Sequence, residues 1–346
     1  MPSHKLLFTS FLSAFAVAAW IPAAPTSAQD VPAGIQSQTG PRLDFPAGLA
    51  SDGRMVYVAN SRNNTLAAID LTTHSLSTIA GELFQQGNND GTGPAARFNS
   101  PDGMAMVGQN LYLCDTNNSD IRQINIASRV VTTVAGTANI AGTEDAKGSA
   151  AHFNLPTQIA SDGKTLYVAD SGNNTIRSIA ISDYAVKTIA GQAGTQGLAD
   201  GPPAKSAFNG PRGVATDGKF VYVSDTGNEI IRKIDLSSMT TSKFAGTGEE
   251  GNKDGSAEEA MFSNPGALCS DGVNLYVLDA DNHAIRKIII ASGVVSTVTQ
   301  VNGHIGSGCS MSADNRTVFY SDTTENSVQQ ADPGANTFTG VYPFGQ

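Results

Sequence analysis

The sequence predicts an all-β chain, a six-bladed β-propeller of four-stranded antiparallel blades. Three observations carry this. One phrase recurs at a fixed period, opening at Pro46, Pro101, Pro156, Pro211 and Pro265, in steps of 55, 55, 55 and 54 residues. A period of this length marks a chain of stacked supersecondary units. Each copy holds short apolar or alternating runs closed by Gly, Asp or Asn, the punctuation of short antiparallel strands. No segment after the first 28 residues keeps a helical period, which argues against repeated helix pairs.

Residues 1–28 read as a secretory signal peptide. His4 and Lys5 give a weakly positive start, Leu6 to Ile21 is apolar, and Thr26, Ser27 and Ala28 are small residues before Gln29. A membrane anchor fits less well, because Thr9, Ser10 and Ser13 interrupt the stretch and Pro22 and Pro25 follow it. The expected localisation is secreted or periplasmic, without membrane insertion. Residues 29–42 form an N-terminal segment, a candidate closing strand for the last blade, and 43–346 form the propeller.

The third copy shows the pattern of a blade. Pro156 opens a short apolar run to Ala160, and Ser161-Asp162-Gly163-Lys164 is a tight turn. Leu166 to Ala169 is a second strand, and Asp170 to Asn174 is a polar turn. Thr175 to Ile181 alternates as a third strand. Val186 to Ala190 is the fourth, stopping at Gly191. A sixth, degenerate copy runs through Ser312 to Asn315, Val318 to Asp322, Ser327 to Ala331 and Phe338 to Tyr342. It lacks a long preceding connection, as end copies of a repeat array often do. The Phe three residues before each opening Pro (Phe98, Phe153, Phe208, Phe262) reads as packing between blades.

The F-N-x-P opening, the Y-V-x-D-x-x-N-x-x-I-R-x-I centre and the T-x-A-G ending together resemble the NHL repeat in its bacterial secreted form. The resemblance is strong from about Leu43 to Gln300. It implies a propeller with binding and scaffolding roles. It also implies an alternative, since some relatives with similar propellers are metal-dependent lyases or lactone hydrolases with an axial site.

Repeated charges read as structure. Asp115, Asp170, Asp225 and Asp279 end the second strands, and Arg122, Arg177, Arg232 and Arg286 follow seven residues later. Partly buried charges need partners. Pairing within a blade and pairing with the next blade each leave one mismatch, at Gln329 and at Ala67 respectively, so the repeat alone does not choose. The sequons at Asn63, Asn117 and Asn173 fall in repeat turns.

The connections between blades, 87–97, 142–152, 194–207 and 248–261, share one face of the ring with the turns between second and third strands. Long loops on one face of a rigid ring are the usual binding surface. Each carries an acid near Gly: Asp90, Asp145, Asp200 and Asp254. No EF-type spacing is present, so no cofactor is predicted, although structural calcium is compatible with these loops.

The chain holds 31 acidic and 21 basic side chains; losing Lys5 with the signal segment leaves 31 − 20, a net charge of −11. Such a surface repels phosphate backbones, so no nucleic-acid partner is expected. A protein, peptide or glycan partner is. Cys114, Cys269 and Cys309 are odd in number and show no framework spacing. Free, buried cysteines are the favoured reading, with a Cys269–Cys309 bridge as the alternative.

No H-E-x-x-H, paired C-x-x-C, phosphate-binding G-x-x-x-x-G-K or G-x-S-x-G motif occurs. No catalytic residue is named. His152, His283 and His304 lie on the long-loop face and are weak candidates for a metal, because their positions place them in different blades. The best ligand-binding candidates sit just after the opening Pro, where copies that otherwise agree diverge: Asp102, Thr157 with Gln158, and Arg212. The reading is a non-catalytic binding module that uses its long-loop face.

Overall fold

The structure, a computed structural model, describes residues 41–301, 303–335 and 337–342. The expected signal peptide and residues 29–40 of the candidate closing segment lie outside them. Six sheets form the six blades. Blade 1 runs Pro46–Ser51, Met55–Asn60, Thr65–Asp70 and Leu76–Ala80, each strand antiparallel to the next. Blades 3 to 6 repeat this order over 156–190, 211–245, 265–300 and 305–342. Blade 2 (101–135) gains a fifth strand, Gly91–Thr92, which pairs with its outermost strand. The first strand of every blade is innermost. That of blade 6 packs against that of blade 1, and all four strands of blade 6 come from its own stretch of chain.

The turn signals work as side-chain chemistry. Asp162 accepts the N–H groups of Lys164 (2.9 Å) and Thr165 (2.8 Å), and its second oxygen accepts from Tyr167 Oη (2.9 Å). The Asp-Gly turn and the Tyr of the second strand are therefore one device, repeated at Asp52–Tyr57, Asp217–Tyr222 and Asp271–Tyr276. The four Phe side chains are fully buried in clusters that join consecutive blades. At the junction of blades 6 and 1, Leu43 takes that place, against Phe319, Val328 and Val341.

The repeated arginines pair within their own blade. Arg122 Nη1 lies 2.7 Å from Asp115, Arg177 2.8 Å from Asp170, Arg232 2.9 Å from Asp225 and Arg286 2.6 Å from Asp279. Each Nη2 reaches a second carboxylate, in the long connection: Asp90 (2.8 Å), Asp145 (2.7 Å), Asp200 (2.5 Å) and Asp254 (2.7 Å). Each guanidinium also donates to two loop carbonyls, for Arg122 those of Arg97 and Asn89, and stacks over the Phe of its blade at 5.0–5.3 Å. The arginine thus anchors the long connection to the blade it opens.

This explains the first copy, where both charges are missing. Asn60 Oδ1 accepts from the Asp44 N–H, as Asp115 does from Asn99, and Asn60 Nδ2 donates to Arg42 O, as Arg122 does to Arg97 O. One amide replaces the charged pair. In blade 6 no long connection precedes the first strand, and Gln329 turns to Ser327 Oγ instead.

One buried charge has no such support. Asp120 begins the third strand of blade 2, where blades 1 and 3 have Thr65 and Thr175, and neither of its oxygens finds a hydrogen-bond partner among the described residues. Burial and the neighbouring Asp115 carboxylate push it up to about 8. A carboxyl raised in the folded state stabilises least where the unfolded chain is already ionised. Its cost therefore accrues as pH rises from about 4 towards the folded value. Asp120→Thr is expected to stabilise the protein by about 1–3 kcal/mol at pH 8 and by less at pH 5, read from denaturant midpoints at both pH values.

The favoured reading of the cysteines is corrected. Cys269 and Cys309 form a disulfide, with Cα atoms 5.5 Å apart, and only Cys114 is free and buried. They lie on neighbouring innermost strands, opposite Tyr276 and Tyr320, with Cys269 facing forward from blade 5 and Cys309 facing back from blade 6. An odd count hid this, because the third cysteine is an ordinary core residue.

Candidate functional site

The innermost strands start at the long-loop face, so the residue after each opening position rims the axis there. Around the ring these are Ala47, Asp102, Thr157, Arg212 and Gly266, with Ser307 in blade 6, whose first strand carries one extra residue, Gly306. The next layer is Gly48, Gly103, Gln158, Gly213, Ala267 and Gly308. Glycine is required in that layer: a Cβ on Gly48 or Gly213 would fall on the backbone oxygen of Asp102 or Gly266 in the next blade. The axis is too tight there for several side chains, and only one long one enters it.

That side chain is Gln158. Its Oε1 accepts from the N–H groups of Val214 (2.8 Å) and Leu268 (3.1 Å), and its Nε2 donates to Leu268 O (3.1 Å). An innermost strand leaves one edge of its backbone unpaired. Gln158 satisfies three such groups across two other blades and closes the axis. Beneath it a cavity of about 300 Å³, lined by Leu49, Met104, Ile159, Val214 and Leu268, runs towards the hairpin ends at Ser161 and Ser270.

Above Gln158 the other three sequence candidates come together on consecutive blades. Asp102 is half-buried, and its Oδ1 accepts from Ser307 Oγ at 2.5 Å. Burial pushes this carboxyl up to about 6, against the smaller opposing pull of Ser307 and Arg212. Thr157 Oγ1 donates to Arg212 O (2.8 Å) and lies 2.6 Å from Ser171 Oγ, which in turn donates to Pro211 O. The Arg212 guanidinium is exposed and makes no hydrogen bond or ion pair among the described residues. Sequence reasoning missed Ser307. It lies in the degenerate blade, where the extra residue Gly306 hides that Ser307 shares the rim layer with Asp102.

The three histidines do not meet at the axis. His152 Nδ1 lies 2.9 Å from Glu144 Oε2, within one long connection. His283 Nδ1 is 3.0 Å from Gly303 O, and its ring centre is 5.3 Å from that of His304. His283 clasps the next blade from the turn position where Asn64 and Asn174 hold the N–H groups of Ser100 and Gly210. Among the described residues no group of three or more His, Cys, Asp or Glu side chains is placed to hold a metal ion. The sequons at Asn63 and Asn173 are buried, with Nδ2 donating to Arg42 O and Gly142 O.

No protein-family model matches the chain. The NHL repeat-containing protein 2 of Bos taurus is 28% identical over 291 residues, 73% of this chain and 40% of that protein. The chain therefore spans about two fifths of the curated relative's length. The similarity supports the assignment of the repeats to the NHL type. Among solved structures, a chain of a nidogen/laminin complex superposes with a TM-score of 0.59 at 14% identity, covering 84% of this chain and 93% of that one. Virginiamycin B lyase from Staphylococcus aureus does so with a TM-score of 0.53 at 11% identity, covering 87% and 85%. At these identities the likeness is one of fold, and the fold hosts both binding and catalysis.

Proposed function

We propose that this protein is a secreted or periplasmic binding module that engages a protein, peptide or glycan through its long-loop face. The observation that carries this reading is the anchoring of the loops. Four buried arginines each fix one long connection by two carboxylates and two carbonyls, so the loops project from a rigid base. Rigid loops lose little conformational entropy on binding, which favours affinity. Phe84 and Ile140, just before two of these loops, and Leu198, on a third, stand about half exposed, at 54%, 50% and 54% of their surface. The nidogen/laminin chain provides a precedent for a propeller of this shape in a protein complex. The disulfide fits an oxidising compartment.

The test is site-specific photo-crosslinking in the protein's native extract. A photoreactive amino acid at Phe84, Ile140 or Leu198 is expected to give one adduct of defined mass. The same probe at Val273 and Val294, exposed on the opposite face, is expected to give none. Equal labelling from both faces would refute the assignment of the face.

A further inference from the structure

The rim of the axis is divided. Three consecutive blades present Asp102, Thr157 and Arg212, and the other three present Gly266, Ser307 and Ala47, of which only Ser307 is polar and is already engaged with Asp102. A ring meant only to pack would not need two opposite charges on one side. Asp102 uses Oδ1 for Ser307, and its Oδ2 has no partner among the described residues. Arg212 is exposed and unpaired among them. A carboxylate oxygen and a guanidinium without hydrogen-bond partners among the described residues therefore stand at equivalent rim positions on the two strands that flank that of Thr157. The floor is sealed by Gln158, which makes the site shallow.

A third feature lies on the same side. Leu155, two residues before Thr157, has φ 49° and is 39% exposed. A bulky residue in the left-handed region is strained, at a cost of order 1–3 kcal/mol. The repeat imposes this conformation at the equivalent positions, Phe45, Ser100, Gly210 and Asn264, of which only Gly210 and Asn264 adopt it at less cost. Among the three blades that carry Asp102, Thr157 and Arg212, the residue before the opening Pro is Ser100, Leu155 or Gly210, so Leu155 is the one exposed apolar side chain there.

We propose that the long-loop mouth of the axis binds a zwitterion with an apolar side chain, an aliphatic α-amino acid or a short peptide of that character. Its ammonium meets Asp102 Oδ2, its carboxylate meets Arg212, and its side chain lies on Leu155. This deepens the binding-module reading and rests on the same face. Paired charge-assisted contacts give such a site its selectivity, since a ligand lacking either charge leaves one protein group unmatched.

Saturation-transfer NMR with L-leucine, 4-methylpentanoate and 3-methylbutylamine as probes tests it. L-leucine is expected to bind saturably, and each singly charged analogue about tenfold or more weakly. Arg212→Met and Asp102→Asn are each expected to weaken L-leucine by a similar factor. Arg212→Met should change the melting temperature little, because the guanidinium is exposed and makes no hydrogen bond or ion pair among the described residues. Leu155→Gly is expected to raise the melting temperature while weakening L-leucine more than glycine. Equal binding of leucine and either analogue, or unchanged leucine binding by Arg212→Met, would overturn the two-charge site. Absence of binding at about 10 mM leucine would overturn the ligand class. Crosslinks at Phe84, Ile140 or Leu198 would then still stand for the macromolecular partner, so the two readings fail separately.

Discussion

Arg177→Met is expected to destabilise the fold by about 3–5 kcal/mol, the cost of leaving a buried carboxylate without its partner. Arg177 and Asp170 are both essentially inaccessible to solvent and lie 2.8 Å apart. Burial already raises the Asp170 carboxyl even with the guanidinium beside it, and removing that charge removes a main opposing influence. The variant's deficit should therefore grow as pH rises above about 4, because the folded state then holds a proton that the unfolded chain has released. Urea denaturation at pH 5 and pH 8 reads both the size and the sign. The long connection should also become a protease target around Gly142 to Leu155, since it loses the donors to His152 O, Glu144 O and Asp145.

Blade 1 supplies the control. There Asn60 and Ala67 perform the same closure without charge, with Asn60 Nδ2 donating to Arg42 O. The double variant Asp170→Asn with Arg177→Ala copies that solution into blade 3. It is expected to recover about 2 kcal/mol relative to Arg177→Ala alone, a coupling of the size seen between residues in direct contact. Asp145 loses its partner as well, but it is 45% exposed and water can replace the guanidinium. Additive losses would show that Arg177 acts chiefly by packing on Phe153 rather than through its charge.

The ring was legible because it is written in local chemistry: a turn Asp two residues before its N–H partner, a Gly at a strand's end, a Phe at four of the six junctions. Each such signal is complete within a few residues and is repeated. The partner of each arginine was not legible, because the second carboxylate lies 32 positions upstream in a loop of variable sequence. Only the fold brings Asp145 under Arg177. The mouth was half legible. Divergence among copies pointed to Asp102, Thr157 and Arg212, which the structure does place on adjacent strands. The same divergence pointed to Gln158, whose three bonds to Val214 and Leu268 close the axis. Departure from a repeat therefore marks a position where the ring's symmetry is broken, whether for a ligand or for the ring itself.

Where a junction between blades lacks an anchored loop, something else must hold it. Blades 5 and 6 are joined by a short connection, and there the Cys269–Cys309 disulfide links the two innermost strands across 40 residues of chain. Its removal by Cys269→Ala with Cys309→Ala is expected to cost about 4 kcal/mol from the loop entropy restored to the unfolded chain. At Cys269 the substitution itself is benign for packing, because Ala50, Ala105, Ala160 and Ala215 occupy the same place in blades 1 to 4. Cys309 sits where Leu49, Met104, Ile159, Val214 and Leu268 stand, so Cys309→Ala adds a small packing loss. Blade 6 is then held on one side by the Leu43, Phe319 and Val341 cluster and on the other by the cluster around Tyr276 and Val318, with no covalent tie. Hydrogen exchange should show amides of 305–342 losing protection before those of blades 2 to 4, as the least supported unit opens first. Uniform loss of protection around the ring would mean that the propeller unfolds as one cooperative body and that the disulfide merely closes a loop.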